Sequence, residues 1–345
     1  MGRSPFGVGE ALRGAEETGG GGQQHELTAC APRRLGFARV SEAALEDLLN
    51  ALDVEELEVE GSPAGGVDAG AAVLVRQPQQ LLRLAQIRPW EGAGEELLGE
   101  GLKSVRKDIF ICTKFSHYGP NSERDFEAAN IRPVLEGSFR RLQTDYIDIL
   151  LLHNPPRELM DGGVAADLYE ELEKLKAEGL IREYGVSLDW REELEMVVET
   201  TKSKALEVFF NALYQEPLPA FQKAQDNGVG IIVKVPLDSG WLSGRYRGGH
   251  RFDDIRKRWP PEVVARRSEL VEQFAALVPA GTSLTHAALQ FILAQPQVST
   301  IIPGAKSVEQ ALENFAAADK QLGPDVVQAV YALWEAEIMN DPLPW

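Results

Sequence analysis

The chain has 345 residues and a mass of 37.9 kDa, above the usual size of one domain yet within the range of one large α/β barrel. With 44% hydrophobic, 8% aromatic and 26% charged residues it has an ordinary globular composition, which excludes collagen-like, mucin-like and wholly disordered classes. Its 35 basic and 53 acidic side chains give a net charge of −18 and a pI near 4.8, so a phosphate backbone or an anionic membrane surface is repelled and neither is expected as a partner.

Two cysteines, Cys30 and Cys112, cannot build a disulfide framework or a multi-cysteine metal site, and a reducing, cytoplasmic compartment is expected. Met1 to Gln24 lacks the apolar core of a signal peptide, and no stretch has the apolar length of a membrane span. Met1-Gly2 opens like a myristoylation site, but Phe6 stands where Ser or Thr is needed. His25, His250 and His286 have no metal-ligand spacing, so no metal is expected.

Along the chain the patterns change quality near residue 85. Residues 1–84 read as a divergent, Gly-rich and partly disordered region, and 85–345 as a barrel domain. In the first part, Gly36 to Val40 and Ala71 to Val75 are short apolar runs fit for strands, and Ser41 to Glu60 has the Leu and Val spacing of one amphipathic helix. From Ile109 onward, continuous apolar runs alternate with helical patterns. Predicted strands are Ile109 to Thr113, Ile147 to His153, Glu183 to Ser187, Val208 to Asn211, Gly230 to Val235 and Val298 to Ile302. Predicted helices are Asn130 to Leu142, Ala165 to Glu178, Arg191 to Thr201, Pro219 to Asn227, Glu262 to Leu277, Ser283 to Ala294 and Ser307 to Ala317, with Gly179, Gly228 and Gly281 near helix ends.

Six βα units in this order imply an α/β fold, and two more from the first part would complete a (β/α)8 TIM barrel whose first two units are poorly specified. A doubly wound open sheet is the alternative, but no Gly-x-Gly-x-x-Gly follows any strand. In a barrel the C-terminal strand ends carry the chemistry, which singles out Lys114, His153, Ser187, Asn211, Lys234, Lys306 and Ser307.

Five ordered motifs then resemble the aldo-keto reductase family over about residues 85–345. Phe110 to Phe115 (F-I-C-T-K-F) looks like its third strand and Tyr146 to Asn154 (Y-I-D-I-L-L-L-H-N) like its fourth. Gly185-Val186-Ser187 resembles the fifth, Pro236 to Gly244 (P-L-D-S-G-W-L-S-G) the pyrophosphate-covering segment, and Ile302 to Asn314 (I-P-G-A-K-S-V-E-Q-A-L-E-N) the adenosine-phosphate site. The resemblance implies NADPH-dependent reduction of a small-molecule aldehyde or ketone. Hydride addition leaves negative charge on oxygen, so such a site needs a proton donor and groups aimed at that oxygen. Lys114 matches the family's lysine and His153 its histidine. The cofactor, NADP(H), would be held by Ser187, Asn211, Pro236, Leu237, Ser239, Gly240, Gly304, Lys306, Ser307, Gln310, Glu313 and Asn314. Lys306 and Ser307 after Pro303-Gly304 combine a cation with free helix N–H groups, which suits a 2′-phosphate.

The departures lie upstream. The family's second-strand motif, F-F-D-T-A-x-x-Y-G, best matches Leu81 to Pro89, where Arg83 replaces the lysine-pairing aspartate and Arg88 the proton-donating tyrosine. Like charges near 4 Å repel by about 4 kcal/mol, so two arginines beside Lys114 make poor catalytic chemistry. The alternative is therefore a catalytically impaired nucleotide-binding or regulatory barrel. Resemblance resumes at once in Trp90 to Leu102, the abrupt break that a shifted reading frame leaves. Tyr118, in the loop after Lys114, is a candidate replacement donor. Lys234 occupies a position where a nicotinamide-stacking tyrosine is common, leaving Phe210 or Trp241 to offer an aromatic face.

Overall fold

Each short apolar run from Ile109 onward is too hydrophobic to face water on either side, and the chain satisfies it by pairing successive runs in parallel and covering them with the intervening helices. In the computed structural model, which describes residues 74–75, 84–86, 93–116, 126–246, 248–253, 255–305 and 307–344, this gives an α/β arrangement. The strands are β1 (Leu74–Val75), β2 (Leu84–Gln86), β3 (Phe110–Phe115), β4 (Ile147–His153), β5 (Ile181–Leu188), β6 (Ala205–Phe209), β7 (Gly230–Lys234) and β8 (Val298–Ile301). The helices are α1 (Ala93–Leu102), α2 (Ala128–Leu142), α3 (Ala166–Ala177), α4 (Arg191–Thr200), α5 (Phe221–Asp226), α6 (Pro261–Leu277), α7 (Leu284–Leu293), α8 (Val308–Ala316) and α9 (Pro324–Glu337). The described residues all belong to one compact unit within Gly36–Trp345.

The sheet order is β1-β8-β7-β6-β5-β4-β3-β2, with parallel pairing from β2 through β8. Closure into an eight-stranded barrel is not seen among the described residues. β1 lies antiparallel on β8, Leu74 opposite Ile301 and Val75 opposite Thr300, where the expected barrel needs a parallel first strand between β8 and β2. A two-residue strand makes too few ladder bonds to impose a direction. The expected strand at Gly36 to Val40 and helix at Ser41 to Glu60 lie outside the described residues.

Alternation along the strands sorts the side chains into two layers. Cys112, Leu151, Ala205, Ile232 and Ile302 form an inner cluster, with Phe110 and Ile149 against it, while Ile111, Leu150, Leu152, Val186, Leu206, Val208 and Val233 join the larger core under the helices. Because side chains two residues apart share a face, the inner layer continues from Cys112 to Lys114, from Leu151 to His153, from Ala205 to Glu207 and from Ile232 to Lys234. Polar residues thus collect at the C-terminal ends of the inner layer.

Two glycines have clear physical reasons. Gly179 closes α3 at φ +78°, and Gly185 sits where β5 meets β6 so closely that a Cβ would stand 1.6 Å from the Ala205 carbonyl oxygen. Helix α9, absent from the expected set, has its apolar positions Val326, Val327, Val330, Leu333 and Trp334 buried at helical spacing after Pro324 at its start. The Gly185 contact yields a test. Gly185→Ala should destabilise the fold by at least about 3 kcal/mol through overpacking, measured by urea denaturation, and a loss below about 1 kcal/mol would show that the strands do not approach so closely.

Candidate active site at the strand ends

Lys114 ends the inner face of β3 at 8% exposure, with its Nζ 2.6 Å from Oε1 of Glu207, a fully buried side chain on β6. Burial lowers the Lys114 ammonium from its ordinary value, Glu207 opposes that fall, and the positive charge of Lys234 adds to it. From this pair a hydrogen-bonded chain crosses the strand ends. Ser187 Oγ lies 3.0 Å from Glu207 Oε1 and 2.7 Å from Asn154 Oδ1, and Lys234 Nζ donates to both Ser187 Oγ and Asn154 Oδ1 at 2.9 Å. The Ser187 hydroxyl has one proton, so at any instant it donates to one of its two acceptors. Asp189 completes the chain, pairing with Lys234 Nζ at 2.8 Å and accepting from Asn154 Nδ2 at 3.0 Å.

Strand register explains the convergence. His153 is opposite Ser187 and Ser187 opposite Glu207, so β4, β5 and β6 end at one level. The Asn154 backbone, turning off β4 at φ +46°, donates to the Ser187 carbonyl at 3.1 Å and brings its side chain over β5. Below the cluster, burial, with the negative charge of Glu207 reinforcing it, pushes the Cys112 thiol well up, so it stays neutral beneath the charged pair.

The segment after β7 is tightly wound. Val235, Asp238 and Ser239 take φ of +54°, +49° and +54°, followed by Gly240 at +92° and Gly244 at +73°. Such a run of left-handed residues persists only where its surroundings hold it. Here Arg267 of α6 fixes Asp238, its Nη1 2.6 Å from each carboxylate oxygen with both side chains buried, and Arg267 Nη2 donates to the Pro344 carbonyl at 2.9 Å. Arg256 Nη1 donates to the Ser239 carbonyl at 3.1 Å, and Pro236 is buried while Leu237 and Gly240 are half-buried beside it. Asn211 ties this segment to β6: its Nδ2 donates to the Val235 carbonyl at 3.0 Å, and its Oδ1 accepts from the Leu213 N–H at 2.8 Å.

After β8, Gly304 is exposed and Ser307 caps α8, its Oγ accepting from the Gln310 N–H at 3.3 Å. Asn314 Nδ2 reaches back to the Gly304 carbonyl at 3.3 Å, folding the turn against the helix. Glu313 is exposed, with its Oε1 3.4 Å from Ser283 Oγ and its carbonyl accepting from His286 Nε2 at 2.9 Å. Lys306, Tyr118, Arg83 and Arg88 lie outside the described residues.

The structure therefore brings Lys114, Ser187 and the ends of β4 and β7 together, with the segments holding Pro236 to Gly240 and Gly304 to Asn314 following adjacent parallel strands. It corrects one expectation. Neither Phe210 nor Trp241 offers an aromatic face, because both are fully buried, Phe210 against Phe221 and Phe291, Trp241 against Tyr246 and Phe252. Sequence reasoning missed Glu207, Asn154 and Asp189 as members of the cluster. Glu207 had one available signal, a lone carboxylate inside the apolar stretch Ala205 to Phe210.

With this geometry in view, comparisons with known proteins are consistent. The model of the aldo/keto reductase family matches residues 90–335. The chain is 29% identical over 268 residues to an uncharacterized oxidoreductase, YqkF, of Bacillus subtilis, covering 72% of this chain and 81% of that one. It is 27% identical to the aldo-keto reductase yakc [NADP(+)] of Schizosaccharomyces pombe, covering 73% and 78%. Among solved structures, the holo form of the aldo-keto reductase AKR11C1 from Bacillus halodurans matches with a TM-score of 0.60 at 28% identity, covering 70% of this chain and 78% of that one.

The Asp238–Arg267 pair generates a test of its own. Arg267→Met leaves a buried carboxylate without its cation and should cost about 3–5 kcal/mol in chemical denaturation. A cost under about 1 kcal/mol would mean that the pair does not hold the segment.

Proposed function

The chain belongs to the aldo/keto reductase family, and from that premise we propose that it reduces an aldehyde or ketone to the alcohol with NADPH. One observation carries the reading: a buried lysine, charge-paired and hydrogen-bonded through Ser187 to the ends of three further strands, occupies the position where the family resemblance places carbonyl chemistry. We read the curled parallel sheet as the body of a (β/α)8 barrel in the cytoplasm.

The residues present fit a phosphorylated dinucleotide. Val235, Asp238, Ser239 and Gly240 take left-handed backbone, the nine-residue helix α8 presents its positive N-terminal end beside exposed Gly304, and both segments follow the last two parallel strands. Pro236, Leu237, Ser239 and Gly240 would hold the pyrophosphate, Ser187 and Asn211 would flank the nicotinamide, and Gly304, Ser307, Gln310, Glu313 and Asn314, with Lys306, would hold the adenosine phosphate. The NADP(+) in the name of the S. pombe relative supports this cofactor. When bound, the reduced nicotinamide supplies a hydride to the carbonyl carbon.

The chain's own residues then manage the oxygen. His153, ending β4 in the same layer as Lys114, orients the carbonyl. Lys114, as the ammonium, stabilises the negative charge growing on that oxygen, an interaction strengthened by its burial, and gives the alkoxide the proton that completes the alcohol, regaining one from water. Tyr169, Tyr184, Tyr214 and Tyr331 are each pushed up by burial, the wrong direction for proton donation near neutral pH.

The reading is tested by following NADPH oxidation with a panel of simple aldehydes and ketones. Turnover by the full chain is expected, with Lys114→Met lowering kcat/KM by roughly 10²–10⁴-fold. NADPH binding without turnover would overturn the reductase reading in favour of a regulatory barrel, and unchanged kcat/KM in Lys114→Met would remove Lys114 from the site.

A further inference from the structure

A buried lysine needs a counter-charge, and where it comes from decides whether the residue can serve as a cation at all. The family resemblance places that carboxylate on the second strand, where the sequence has Arg83. The structure has it elsewhere. Glu207 lies on β6, fully buried, with Oε1 2.6 Å from Lys114 Nζ and 3.0 Å from Ser187 Oγ. Its Oε2 is buried and makes no hydrogen bond with a described residue, so Lys114 is the only cation paired with this carboxylate among the described residues. The pairing with this carboxylate in turn fixes the ammonium in place.

We propose that Glu207 is a positioning residue for carbonyl reduction: it charge-balances and orients Lys114 from β6, taking the part that the resemblance assigned to the second strand. The inference rests on the reductase reading for its purpose but not for its test. Strand order makes the exchange geometrically available, because side chains of β3 and β6 share the inner layer, so the Lys114–Glu207 contact links strands that are not neighbours. Ser187 then carries the influence of the pair outward, since the oxygen that accepts from Lys114 also faces the Ser187 hydroxyl, which accepts from Lys234.

The charged and titratable groups around Lys114 are Cys112 on its own strand, Glu207 on β6, Lys234 on β7, and, through Asn154 and Ser187, Asp189 after β5, with His153 ending β4. Only Glu207 among these pairs directly with the ammonium. Removing its charge leaves burial and the positive charge of Lys234, both of which favour the neutral amine. Lys114 should therefore lose its proton at lower pH in Glu207→Gln than in the unaltered protein.

The experiment is competitive acylation of the full chain with acetic anhydride across pH, reading Lys114 by mass spectrometry against exposed Lys174 as internal reference. In Glu207→Gln the acid dissociation constant of Lys114 should rise at least tenfold, and in Glu207→Asp, whose carboxylate is one methylene further away, it should rise by less. Simple unfolding would instead return Lys114 to the same titration as Lys174. In turnover, the alkaline limb of the kcat/KM profile should move down with the acylation midpoint, a shift that a merely structural role would not produce. A Lys114 midpoint unmoved in both variants overturns the proposal. A moved midpoint in a protein without turnover upholds the pairing and sinks only the reductase reading.

Discussion

The pairing of Lys114 with Glu207 is the constraint on which the mouth of this sheet depends. Seven strands run parallel, and the inner layer built by β3, β4, β6 and β7 is apolar below its last residues, so charge introduced at those ends must be compensated within the layer. Glu207 compensates Lys114, and Asp189 compensates Lys234. Ser187 and Asn154 join the two pairs into one network, so neither Lys114 nor Lys234 stands alone. The arrangement is two cations and two carboxylates balanced over β3, β5, β6 and β7, and the resulting rigidity is what a site for developing negative charge requires.

Around that network, the two segments assigned to the cofactor are held by different means. The turn after β7 is strained backbone fastened from outside by Arg267, Arg256 and Asn211. The turn after β8 is ordinary capping chemistry, with Ser307 closing the first turn of α8 and Asn314 reaching back to Gly304. The first is preorganised at an energetic cost that the buried Asp238–Arg267 pair offsets. The second is a helix N-terminus whose donors need no distortion.

Much of this was legible in the sequence. From β3 to β8 the continuous apolar runs located every strand, because a strand buried on both faces has no other pattern available. The polar residue ending each run, Lys114, His153 or Ser187, fell where the inner layer reaches solvent. What escaped reading did so for identifiable reasons. Glu207 interrupts an apolar run, so the strand was expected at Val208 to Asn211 when it runs Ala205–Phe209, and a carboxylate inside a strand looks like a boundary unless its partner, 93 residues away, is known. Asp189 and Asn154 sit just past their strands, in loops where composition has no periodicity to reveal them. Helix α9 had a readable apolar stripe, but the eight-unit barrel reading ended at α8 and assigned it no place. Among the residues carried by resemblance, Ser307 and Asn314 are placed by local hydrogen bonds, whereas Arg83, Arg88 and Lys306 fall outside the described residues.

The most direct test of this account is a double-mutant cycle on the Lys114–Glu207 pair, read as unfolding free energy. If each charge is buried and sustained by the other, Lys114→Met and Glu207→Gln should each destabilise the fold by about 3 kcal/mol or more, and the double variant should be no less stable than either single one. Losses that simply add in the double variant would mean that the two residues do not depend on each other, and the site would have to be built around a different counter-charge for Lys114.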